Sequence, residues 1–117
     1  MADTAAVPDA GGAAASALDF AAAARVLAAA ARRAGLAVPG FRTPPRLVGV
    51  DRTVRRHGGG ATVSVRVKGR PWAAVLADLV DGVVTANRLD ATRANRVRAD
   101  LWAALEHARR ARATHVA

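Results

Sequence analysis

Cysteine and tyrosine are absent from this chain, and acids are scarce. Without cysteine there are no disulfides, no thiolate nucleophile and no cysteine-ligated zinc or iron–sulfur site. The lack also fits a reducing compartment, and a cytoplasmic location is expected. Only Phe20, Phe41, Trp72 and Trp102 are aromatic, and all four fall where a core is expected, so exposed stacking platforms for unpaired bases are not foreseen. No uninterrupted apolar run is long enough to span a bilayer, because Arg25 breaks the richest stretch, Phe20 to Ala31. Nor do the first residues, which carry Asp3 and Asp9, resemble an export signal. No membrane contact is expected.

What remains is mostly alanine and arginine. Of 117 residues, 32 are Ala, so the nominal 52% hydrophobic content overstates the area available for burial. Seventeen of the 18 cations are Arg, against nine acids, for a net charge of +9. A GC-rich genome explains the preference for Arg over Lys, but not the two-to-one excess of cations. Arg also offers a planar fork to phosphate that Lys lacks.

The length fits one domain. Residues 1–15 hold little to bury and read as a disordered tail, residues 16–113 as one domain, and 114–117 as a second tail. Ser16 or Asp19 caps a helix reaching about Ala34, stopped by Gly35. Residues 36–45 contain three prolines and a glycine and read as a connector. Arg46 to Gly69 reads as a β-hairpin. Val63, Val65 and Val67 alternate with polar residues, and Gly58-Gly59-Gly60 forms a tip expected to be mobile. The first strand is less regular. Val48, Val50 and Val54 share a parity with Arg52 and Arg56, which predicts a bulge or an early twist near Asp51, or a tip extending beyond the core. Pro71 opens a helix whose apolar stripe is Trp72, Val75, Leu76, Leu79, Val80 and Val83. Asp78, Asp81 and Thr85 form its exposed side, and Gly82 weakens it unless close packing needs a glycine. That helix ends near Asn87 in the left-handed conformation. Asp90 caps a last helix to about Arg112, with Trp102 on its apolar face and Glu106–Arg110 as a favourable pair.

The expected fold is α+β, in the order helix, hairpin, helix, helix, with a two-stranded antiparallel sheet packed on helices. A lone hairpin is marginal, and the alanine-rich core is modest, so a homodimer is expected to widen the sheet.

Charge is unevenly placed. Residues 1–40 sum to zero, 41–70 to +7, 71–90 to −2 and 91–117 to +4. The hairpin therefore carries most of the excess, and a basic ribbon can follow a phosphate backbone. The candidate nucleic-acid contacts are Arg46, Arg52, Arg55, Arg56, Arg66, Lys68 and Arg70. A solvated face that deters edge aggregation explains the same charge. The expected function is non-enzymatic, weakly specific binding of nucleic acid, duplex more than single strand. The alternative is an adaptor that docks an acidic protein.

No catalytic site, metal or cofactor is expected. His107 and His115 are eight residues apart, and His57 stands alone. Asp78 and Asp81 lack a third ligand, and equally fit a solvated face or pairing with the basic hairpin. The three glycines are not followed by the Lys-Ser/Thr of a phosphate-binding loop.

Overall fold

A computed structural model describes residues 18–44, 47 and 49–116. The tail at residues 1–15, the alternative cap Ser16 and Arg46 lie outside the described residues. The elements are α1 (Phe20–Arg33), β1 (Gly40–Arg42), β2 (Arg52–His57), β3 (Gly60–Val65), α2 (Trp72–Ala86) and α3 (Ala91–Val116).

Helix ends follow the local chemistry. Asp19 is the N-cap of α1, and its carboxylate accepts from the Ala22 N–H at 2.7 Å. Gly35, at φ +75°, closes the helix. Leu36 N–H donates to Ala31 O and Gly35 N–H to Arg32 O, the Schellman pairing. Asp90 caps α3 through the Arg93 N–H at 2.8 Å. That helix continues to Val116, beyond its expected end at Arg112 and through most of the segment read as a tail.

The sheet differs from expectation. It has three strands in the order β1-β3-β2, with β1 parallel and β2 antiparallel to β3. The added strand comes from the proline-rich connector. Proline excludes helix and a central strand position, but Gly40-Phe41-Arg42 lies between Pro39 and Pro44 and is an edge strand of three residues. Phe41 faces Val63 across the pair. The chain thus widens its own hairpin, which removes one of the two reasons to invoke a second copy.

The bulge near Asp51 is also absent. β2 pairs regularly from Arg52↔Val65 to His57↔Gly60. The parity conflict resolves differently: Val54 packs against the core, while Arg52 and Arg56 on the same face run past it to the flank and end of α2. Residues 55–60 are all exposed, so the tip does extend beyond the core. It closes as a tight two-residue turn with Gly59 at φ +78°, and His57 Nε2 is hydrogen-bonded to Thr62 Oγ1 at 2.8 Å.

The α2 helix is the centre of the molecule. It covers one face of β2 and β3 and packs on its other side against α1 and α3. Val63, Val65, Val75, Leu79, Val80 and Val83 are completely buried there. Gly82 sits directly over Val63. A Cβ at Gly82 would lie 3.0 Å from Val63 Cγ2 and closer still to Cγ1. The glycine that weakens the helix locally is therefore what brings it down onto the sheet.

At its C-terminus, Asn87 is not left-handed (φ −95°); Arg88 is, at φ +51°. The Asn87 side chain instead clasps the Ala37 backbone, accepting from its N–H and donating to its O, both at 2.9 Å. This fastens the segment entering β1 to the end of α2. Trp102 also departs from expectation: it lies 38% exposed beside α2 rather than within the core. Among the described residues no helix is long and apolar enough to cross a membrane.

Candidate nucleic-acid interface

The strand register divides the sheet into two faces. Phe41, Val54, Val63 and Val65 point toward α2. The opposite face carries Arg42 on β1, Thr62 and Ser64 on β3, and Thr53, Arg55 and His57 on β2. Arg42 and Thr53 flank Ser64; Gly40 and Arg55 flank Thr62. The α2 helix covers the other side.

The structure separates the candidate cations into two groups. Arg52, Arg56, Arg66 and Arg70 are committed to the fold. Arg52 Nη1 donates to Asp78 Oδ1 at 2.7 Å and lies 3.6 Å from Asp81. Arg70 Nη2 approaches Asp78 Oδ2 at 2.6 Å without hydrogen-bond alignment, so that contact is chiefly Coulombic. Its Nη1 donates to Arg66 O at 2.8 Å. Arg66 donates through Nε and Nη2 to Asp51 Oδ1, at 2.9 and 2.7 Å. Arg98 from α3 reaches Asp81 at 2.8 Å. These three aspartates and four arginines form one network where β2, β3 and α2 meet.

Arg56 has a different task. It donates to Ala86 O at 2.8 Å and Thr85 O at 2.9 Å, the carbonyls left without helical partners at the end of α2. A cation is also favoured there by the helix dipole. Of the two expectations for Asp78, a solvated helix face or pairing with the basic hairpin, the second holds: its side chain is 15% exposed against Arg52 and Arg70.

The second group is Arg55 and Lys68, both exposed, together with Arg42, which is absent from the sequence-based site. None takes part in the ion pairs among the described residues. Arg42 escapes a reading that makes residues 36–45 a connector. The Pro-bounded Gly-Phe-Arg triplet, with one apolar residue between polar neighbours, is the signal that identifies it.

Acids near the site are neutralised. The Arg66 guanidinium holds the Asp51 carboxyl below its usual range, with a smaller contribution from Arg70. Far from the sheet, hydrogen bonds from Arg109 and then Arg110 bring Glu106 down to about 2. Its folded-state pKa is depressed, so the contribution of that cluster is complete above about 4.5 and is lost as pH falls toward about 2. A carboxyl NMR titration of Glu106 is expected to show a midpoint near 2; a midpoint at the ordinary value means the cluster does not form in solution.

Among the described residues no group of three or more His, Asp or Glu is placed to hold a metal ion. No known protein family, curated protein or solved structure matches this chain.

Proposed function

We propose that this protein binds nucleic acid through the open face of its sheet, without catalysing a reaction and with weak sequence specificity. The observation that carries the reading is the separation of the cations. Arg42, Arg55 and Lys68 stay clear of every ion pair among the described residues. Arg42 and Arg55 stand on the open face, Lys68 follows the end of β3, and the carboxylate of Asp51, just before β2, is occupied by Arg66. Each unpaired cation placed on a phosphate displaces condensed counterions, which supplies affinity independent of sequence.

The contact set is smaller than charge counting suggests. Three phosphate contacts give a slope of log K against log salt of about −3, whereas the seven sequence candidates together give about −6. The double variant Arg42→Glu/Arg55→Glu is expected to weaken duplex binding by at least about 50-fold near 0.1 M salt, since each lost contact is worth roughly tenfold there. Arg93→Glu/Arg96→Glu, at two exposed positions of α3, serves as the charge-matched control and should change binding little. A gel-shift series checks both values. No binding by the parent protein at low salt, once freed of copurifying nucleic acid, ends the proposal.

One observation favours the adaptor reading. Trp102 borders a shallow apolar recess of about 70 Å³ lined also by Leu18, Trp72, Leu76 and Leu105. The Trp72 indole N–H is buried without an acceptor among the described residues. A protein partner captured from nuclease-treated lysate, and lost on Trp102→Ala, would favour that reading.

A further inference from the structure

We infer that the open sheet face seats in the major groove of B-form duplex DNA. This rests on the nucleic-acid reading above and narrows it to one kind of duplex and one groove. Three features converge on it.

The first is width. Three strands put the outer strand axes two interstrand spacings, about 10 Å, apart, so the central strand faces the groove floor while the outer strands lie along its phosphate walls. The major groove of B-DNA is about 12 Å wide, and its minor groove, at about 6 Å, is too narrow for the sheet. The major groove of an RNA duplex is deep and narrow, and its minor groove is shallow. The face is too broad for the RNA major groove, and the wide, shallow RNA minor groove offers no walls for cations on the two outer strands to reach.

The second is the distribution of side chains. Arg42 and Arg55 stand on the two outer strands, with Ser64 and Thr62 of β3 between them. Two strand spacings and one two-residue step put their Cα atoms about 12 Å apart. That spacing directs the guanidinium groups to opposite walls of the groove. Thr62 and Ser64 of the central strand, and Thr53 beside Ser64 on β2, are short. They allow the sheet to approach the base edges, and their hydroxyls can donate to or accept from any base pair. Such contacts discriminate poorly, in agreement with weak specificity. Arg55 is also long enough to turn inward to a guanine.

The third is access. The hairpin tip reaches beyond the core and closes on two glycines, which add no bulk. The α2 helix packs on the opposite face. The register places Phe41 on the α2 side, so no Phe, Tyr or Trp of the three strands stands on the open face to stack with unpaired bases, and the His57 ring there is held by Thr62.

The test is a competition series with the full chain at about 50 mM salt. The probes are a duplex DNA of about 20 base pairs, the duplex RNA of the same sequence, one DNA strand alone, and poly-glutamate. Duplex DNA is expected to bind at least tenfold more tightly than each of the others. Methyl green, which occupies the major groove, should displace the protein, and the minor-groove ligand netropsin should not. Equal affinity for DNA and RNA duplexes, or displacement by netropsin alone, overturns the groove assignment and leaves nucleic-acid binding standing. Preference for the single strand does the same. Poly-glutamate binding as tightly as DNA, or no binding to any nucleic acid, overturns both readings.

Discussion

Asp78→Ala is expected to cost about 3 kcal/mol of folding stability, a drop in melting temperature of about 15 °C for a domain of this size. Removing a carboxylate from an exposed helix face would cost almost nothing, so the size of the effect measures how far the side chain is embedded. Asp78 is 15% exposed and faces two guanidinium groups: Arg70, 9% exposed, and Arg52, 31% exposed. Deleting one partner of a buried pair typically costs about 3–5 kcal/mol, because the other charge loses its compensation. The lower end applies because Arg52 can turn to water. Asp78→Asn keeps the shape and one hydrogen-bond acceptor, and should lose less. The same change should leave duplex binding at the open face nearly unchanged, because Arg52 lies on the α2 side of the sheet and keeps Asp81 3.6 Å away. Thermal denaturation beside a gel-shift titration reads both. A stability change below about 0.5 kcal/mol would show that the network is not formed.

Gly82→Ala is expected to destabilise by about 2 kcal/mol, or about 10 °C, although alanine is the better helix former by about 1 kcal/mol. The added methyl group would occupy the space of the completely buried Val63 side chain. Either the helix lifts from the sheet or Val63 leaves its rotamer, and overpacking of this kind costs about 1–3 kcal/mol or more. The partner is identifiable, so the effect can be cross-checked. Val63→Ala alone should also destabilise, by leaving a cavity. Combined with Gly82→Ala it should recover at least about 1 kcal/mol relative to the sum of the two single changes. Neutral or stabilising behaviour of Gly82→Ala would rule out the close approach.

Helix boundaries set by local chemistry were legible in the sequence. Asp19, Gly35 and Asp90 act on hydrogen bonds within a few residues, and each does what its position suggests. The alternation at Val63 and Val65 likewise located β3. Features that depend on distant partners were not legible. β1 is short and bounded by prolines, and its strand character comes from β3, some twenty residues later. Arg52 and Arg56 seemed to contradict a regular strand because nothing local indicates that α2 presents a carboxylate to one and open carbonyls to the other. The same blindness enlarged the candidate site. Counting charge along the chain treats Arg70 and Arg55 alike, yet one is held against Asp78 and the other is free of such pairs. Arg42 is illegible for the complementary reason: only pairing with β3 makes residues 40–42 a strand.

The clasp between Asn87 and Ala37 has a consequence for amide exchange. β1 is a three-residue edge strand, held by β3 on one side and tethered at its entrance by a single side chain fifty residues away. Its amides should therefore open with far less free energy than those of α2 and β3, which are set to exchange only through global unfolding. Because Arg42 lies on this strand, a bound duplex would restrain the least protected part of the sheet. Deuterium uptake at Phe41 and Arg42 should slow on adding DNA while uptake in α2 stays the same. The weakest strand of the fold would then serve as the most sensitive reporter of its occupancy.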